Sequence, residues 1–286
     1  MAITIVKKDQ LQAEVERYLD QKTTFLGFVN MKFSSAIKSQ GDTVTVQSIP
    51  NLVMTTGATA GAAIAAQNVT ITGTNIVADQ VDVANVPITD FEEAVSNLDL
   101  MSKFAERLAF AIKTRMEVYF FSLHTGALAA NELDDGDLDT ATNGGAGNPA
   151  NVTVANVYEV FAKIAEKLED QNVNLDEVGV FVRPAIKSIL VRAGLASGTD
   201  IGMADGKKGL IANVAGVDIF VNNNTTTAFM IALDKEAIQG VSKYAKTDVR
   251  DNVDGFSSNL IAENIFGGKI TATGSKSIAT FEITNY

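Results

Sequence analysis

Apolar and polar positions alternate first at Thr43-Val44-Thr45-Val46 and again at Gln80-Val81-Asp82-Val83-Ala84-Asn85-Val86. Period-two alternation predicts strands. Between them lies a low-complexity run, LVMTTGATAGAAIAAQNVTITGTN, built from Ala, Gly and Thr. The two runs predict a long antiparallel hairpin whose small residues cannot bury a core of their own. A loop of that length is unusual inside a compact domain. An arm held by something outside the chain accounts for it better.

A different period follows. Asn97 or Asp99 can cap a helix in which Met101, Phe104, Leu108, Ile112, Met116, Tyr119, Leu123 and Leu128 recur at helical spacing, with neither Pro nor Gly before Gly126. At about 1.5 Å per residue, roughly 28 residues form a rod of about 42 Å. That exceeds twice the usual globular helix. Upstream, Leu11 to Leu19 reads as a short helix followed by an apolar connector, FLGFVNMKF. Downstream come an acidic Gly-rich loop, NELDDGDLDTATNGGAGNPAN, and an amphipathic helix from about Val154 to Asp170. A strand at Val178–Val182, a helix at Ala185–Arg192 stopped by Gly194, and strands at Val217–Val221 and Phe229–Leu233 follow. Ile261–Phe266, Lys269–Thr273 and Ser277–Thr284 also look like strands. This order is α+β and not a regular βαβ array.

The chain has 286 residues, 46% of them hydrophobic, so a sizeable core is within reach. Lys and Arg number 23 against 34 Asp and Glu, a net charge of -11. That balance argues against sequence-independent DNA binding by a free domain. The charge is uneven. Lys7, Lys8, Arg17, Lys22, Lys32 and Lys38 outnumber the acids of residues 1–40, whereas residues 39–102 contain no Lys or Arg. No signal-peptide core precedes Lys7, and the apolar stretch Leu98–Ala130 carries too many charges to span a membrane. The expectation is a protein made in the cytoplasm, with no membrane.

Candidate chemistry is sparse. Zero Cys removes disulfides, thiolate metal sites and cysteine nucleophiles, and the single His124 removes two-histidine metal sites. Gly202–Lys208 (GMADGKK) is one residue short of a phosphate-binding loop, and Lys208 stands where Ser or Thr is needed. Asp135, Asp137 and Asp139 alternate like the start of a calcium loop. Thr140 and Ala146, however, occupy the positions that need Gly and Glu. A solvated acidic loop is the better reading, with a weak calcium site as the alternative. Ser35-Ala36-Ile37-Lys38 matches an S-x-x-K tetrad without its partner motifs. His124, at the end of the long helix, suits the helix dipole better than a general-base role. The expectation is no catalytic residue, no cofactor, no metal, and not an enzyme.

Three stretches give the layout a family likeness. Gly41-Asp42-Thr43-Val44-Thr45-Val46 resembles a G-D-T-V loop opening, and Asp79-Gln80-Val81 to Asp90-Phe91 resembles a return strand with a polar exit. Asn172–Val182 with Arg183-Pro184-Ala185, and Gly216-Val217-Asp218-Ile219-Phe220-Val221-Asn222-Asn223, resemble a later strand–helix and strand pair. Together they resemble the major capsid proteins of tailed bacteriophages, the Hong Kong 97-type fold. The resemblance implies an N-terminal arm (1–40), an extended β-hairpin loop (41–90), a spine helix and peripheral domain (91–150), an axial domain (151–245) and C-terminal strands that return to the peripheral and axial domains (246–286).

The resemblance further implies a protein that assembles as hexamers and pentamers into an icosahedral head around double-stranded DNA, and so a virion location. Inter-subunit contacts fall to Val53, Met54, Ile64, Val69, Ile71, Ile76 and Val77 on the loop. Spine packing falls to Met101, Phe104, Leu108, Ile112, Met116 and Tyr119, and basic arm contacts to Lys7, Lys8, Arg17 and Lys22. The implied partners are other copies, a portal protein, a scaffolding protein and a cement protein. With only some forty residues before the loop, scaffolding is expected on a separate chain. The founding member's Lys–Asn isopeptide cross-link is closed here, because this loop has no Lys. An encapsulin-like nanocompartment shell is the leading alternative. A β-rich adhesin or surface-layer protein would need an export signal.

Overall fold

A computed structural model describes residues 15, 25–48, 69–89, 100–195, 210–225, 229–251 and 257–284. Strand β6 (Val178–Val182) contains no polar side chain, and all five of its residues are buried. Burial on both faces is the condition under which a strand loses its alternation. Val178, Val180 and Val182 enter one core, and Phe181 enters another. The remaining strands of this mixed sheet are β5 (Glu132–Leu133), β7 (Leu210–Val214), β8 (Val217–Val221), β9 (Phe229–Asp234) and β12 (Ile278–Glu282). Their order is β5-β12-β9-β6-β8-β7.

Among the described residues, helices cover both faces. The long helix α1 (Leu100–Ser122) lies on the Phe181 side, and α2 (Val157–Asp170) with α3 (Pro184–Arg192) on the other. Val157, Val160, Phe161, Ile164, Ala165 and Leu168 form the buried stripe of α2 at spacings of three and four. Asn172 (φ 59) ends α2 in the left-handed region, and the Val173 amide donates back to the Leu168 carbonyl at 3.1 Å. Gly194 (φ 72) ends α3 in the same way, with Leu195 donating to Leu190 at 3.0 Å. Both are Schellman stops. α3 starts on Pro184, whose missing amide costs nothing at a first helical position.

The second sheet has the order β1-β10-β11-β4, with β1 at Val29–Asn30 and β4 at Gln80–Thr89. Its body is β10 (Ile238–Asp251) and β11 (Ser257–Ile270), each of 14 residues, with a register shift between Tyr244 and Lys246. Gly240 and Gly268 pair directly across these strands. A Cβ on Gly268 would stand 2.5 Å from Cε1 of Phe120, so the two glycines make the trough that the Phe120 ring fills. α1 is thereby held between both sheets. Around it Phe25 stacks on Phe121 at 3.7 Å, and Phe28 and Phe181 meet edge to face at 5.3 Å.

Several expectations change. The helix runs 23 residues, about 34 Å at about 1.5 Å per residue, before tightening into a 3-10 turn at Leu123–Gly126. β2 (Thr43–Ser48) pairs with β3 (Thr72–Val77), not with Gln80–Val86. The latter run lies in β4 and pairs with β11. Alternation marks a strand but does not choose its partner. The C-terminal expectations shift as well. Lys269–Thr273 is not a strand of its own: β11 is one strand from Ser257 to Ile270, and a 3-10 turn at Gly274–Ser277 precedes β12. β10 spans residue 246, and β5 and β12 join the sheet of β6. The layers are thus assembled from separated parts of the chain. Of the expected Leu11–Leu19 helix only Val15 is described; it is helical and buried.

Candidate assembly surfaces

The hairpin β2–β3 forms a sheet of its own, and its base is tied to the body. Gly41 (φ 84) turns the chain, its amide donates to Ala78 O at 2.9 Å, and the Ala78 amide donates to Asp42 O at 3.0 Å. The Asp42 carboxylate accepts from the amides of Lys38 (2.7 Å) and Ser39 (2.9 Å) and from the Ser39 hydroxyl (3.1 Å). The Lys38 amide first, then Ser39, holds its pKa below the usual 3.8. Beneath the base, Ile76 and Ala78 are buried with Ile37, Val241 and Ile265.

Of the loop residues expected to meet a neighbour, Val69, Ile71 and Val77 are exposed, Ile71 by 54%. Ile76 is a correction: it is fully buried in its own subunit and serves as the anchor of the hairpin. Val53, Met54 and Ile64 lie outside the described residues, as do Lys7, Lys8, Arg17 and Lys22 of the arm.

On α1, Leu108, Ile112 and Met116 are buried, and Phe104 and Tyr119 pack half-buried against the same core. Met101 lies on α1, with its side chain outside the described set. The outer face presents Phe110, 64% exposed, and Val118. Arg115 Nε reaches Asp82 of β4 at 3.2 Å. Glu117 had no place in the sequence reading. It is only 4% exposed and accepts from the side-chain amides of Asn222 (3.2 Å) and Asn224 (2.7 Å), bolting the helix to the end of β8. The Asn222-Asn223-Asn224 run after an apolar strand was the available signal.

The acidic loop is a folded knot. Asp135 is buried and accepts from the Thr142 amide (2.7 Å) and hydroxyl (2.6 Å) and from the amides of Asn143 (2.6 Å) and Gly145 (2.9 Å). Burial is the largest single influence and raises its pKa, but the donors together outweigh it and bring the value to about 2. Both oxygens are taken by donors, which leaves no lone pairs presented for calcium in the manner of an EF-hand. The loop is therefore not simply solvated. Asp134 and Asp137 form a capping box around the same turn. Among the described residues no group of three His, Asp or Glu is placed to hold a metal. No described helix is long and apolar enough to cross a membrane.

His124 sits in the turn after α1 with Nδ1 2.9 Å from Phe121 O, a helix-end contact. Ser35 and Lys38 are both exposed, and the Lys38 amide serves Asp42. Gly202–Lys208 lies outside the described residues.

The class that this arrangement defines is the α+β fold of phage capsid structures, the Hong Kong 97-like fold. A structure from Mycobacterium phage Che8 superposes with a TM-score of 0.65 at 19% identity, over 91% of this chain and 91% of that one. The capsid of cyanophage P-SCSP1u gives 0.62 at 16% identity, over 90% and 86%. A virus-like particle from Pyrococcus furiosus gives 0.56 at 11% identity, over 96% and 99%. No family model and no curated protein matches the sequence.

Proposed function

We propose that this chain is the major capsid protein of a tailed bacteriophage. It assembles as hexamers and pentamers into an icosahedral head around double-stranded DNA, and it is not an enzyme. The observation that carries this reading is the hairpin. Its base is anchored, yet Val77 on its two-stranded ladder and Val69 and Ile71 just before β3 stand exposed. An isolated two-stranded ladder is marginal in water, so a neighbour's surface is what would complete it. The fold likeness, spanning nearly the whole of both chains, supports the same reading.

In this scheme α1, held between two sheets, keeps the hairpin at a fixed angle to the body. The exposed Phe110 and Val118 supply apolar surface for a neighbouring copy. The shell is held without covalent cross-links, by hairpin docking, with a portal protein, a separate scaffolding protein and a cement protein as further partners. Net negative charge keeps packaged DNA movable against the inner wall. The chain is made in the host cytoplasm and ends in the virion.

Negative-stain microscopy with mass photometry of the recombinant protein tests the reading. Closed shells, hexamers or pentamers support it. A strict monomer at high concentration, still monomeric with a scaffold added, overturns it. The likeness to a virus-like particle over 96% of the chain favours one second reading, a cargo-enclosing nanocompartment. Shells that purify with a host enzyme inside would select it.

A further inference from the structure

The chain holds a single Asn-Gly step, Asn143-Gly144, and both residues are exposed on the outside of the 134–148 knot. The pair is chemically reactive, because glycine has no Cβ to keep its backbone nitrogen away from the preceding carboxamide. In the folded chain Asn143 is pinned through main chain and side chain. Its amide donates to Asp135 Oδ2 at 2.6 Å, and its Nδ2 donates to Pro149 O at 2.9 Å. The Thr142 and Gly145 amides on either side are bound to the same Asp135 carboxylate, at 2.7 and 2.9 Å. The Gly144 amide differs from these neighbours: among the described residues, no group accepts from it.

We propose that Asn143 is a covalent modification site, a deamidation site that the Asp135 knot keeps closed. In the reaction the Gly144 backbone nitrogen gives up its proton and attacks Cγ of Asn143. The new N–Cγ bond closes a five-membered succinimide, the Cγ–Nδ2 bond breaks, and Nδ2 leaves as ammonia. Water then adds at either ring carbonyl and reopens the ring as aspartate or isoaspartate. Ring closure needs rotation about the Cα–Cβ and Cα–C bonds of Asn143, away from staggered positions. While Asp135 holds the amides around it and Pro149 O holds Nδ2, neither bond turns freely. The attacking nitrogen has no bond to break first, so the gate lies on Asn143 itself. The change also runs one way. A carboxylate at position 143 has no N–H for Pro149 O and brings a second anion towards the buried Asp135. Isoaspartate further lengthens the main chain by one carbon, which puts the Asp135 donors out of step.

The site does not depend on shell assembly. The full-length chain is incubated at neutral pH and body temperature, and mass spectrometry of the peptide containing Asn143 follows ammonia loss and the aspartate and isoaspartate products. When the knot opens and closes faster than the ring forms, the rate tracks the population of the open form. Native wild type should react at least about tenfold more slowly than the same chain unfolded in urea. Asp135→Ala should recover most of that gap, and Asn143→Gln should stay unmodified. A second readout needs no variant: in wild type below the urea transition, hydrogen exchange at the Asn143 and Gly145 amides should rise in parallel with modification. The proposal is overturned if native wild type reacts as fast as the unfolded chain. It is equally overturned if Asp135→Ala stays as slow as wild type, or if exchange at Asn143 rises without modification following.

Discussion

Gly267 lies directly under the carbonyl of Val77, so close that a Cβ built on it would stand 2.0 Å from the Val77 oxygen. One is the last residue of the hairpin strand β3 and the other belongs to β11. Their contact is where the hairpin is seated on the body. Because backbone meets backbone, neither side can yield by rotating a side chain.

The Gly267→Ala substitution therefore should lift the hairpin from its seat. Overpacking of this kind costs about 1–3 kcal/mol. The expected result is a Tm lowered by several degrees and shells that fail to close, read by calorimetry and electron microscopy. Unchanged assembly would mean that the hairpin angle is not what the glycine protects.

The exposed residues just before β3 behave oppositely. Ile71→Asp removes apolar surface that makes no contribution to the subunit's own core. Subunit Tm should stay within about 1–2 °C, since surface changes fall within about 0.5 kcal/mol. Mass photometry should nonetheless show loss of oligomers.

Glu117 is the test of the bolt between α1 and β8. Glu117→Leu leaves the Asn222 and Asn224 amides without their acceptor, which should cost about 2–3 kcal/mol in denaturant unfolding. Glu117→Gln keeps an acceptor oxygen and should recover most of that loss.

Acid should loosen the 134–148 knot through Asp135. Its folded pKa, about 2, lies below the ordinary 3.8, so the ionised form is favoured by the fold. Its contribution is complete above the unfolded value and disappears as pH falls from 3.8 towards 2. Tm measured between pH 5 and pH 2 should drop more steeply for wild type than for Asp135→Asn, which starts lower at neutral pH.

Much was legible along the chain. The stripe Leu108, Ile112, Met116 announced α1 and its buried side, and the stripe from Val157 to Leu168 announced α2. The apolar Val178–Val182 announced a strand, and the fold shows it covered on both faces. Each rests on spacing within one segment, set by backbone geometry that every residue carries with it. Gly194 marked the end of its helix for the same local reason.

What stayed hidden was non-local. Gln80–Val86 declared itself a strand, but only the folded body shows it on β11 and leaves Thr72–Val77, with no clear alternation, to close the hairpin. Glu117 looked like one more charge on a helix until Asn222 and Asn224 came within 3.2 Å. A cleft at the hairpin base takes its walls from four separated segments, residues 30–33, 46–47, 234–239 and 271–277. Period and composition determine which segments are helix or strand and which side is apolar. Pairing, burial of a charge and the shape of a cleft depend on distances between residues far apart in sequence, and those exist only once the chain has folded.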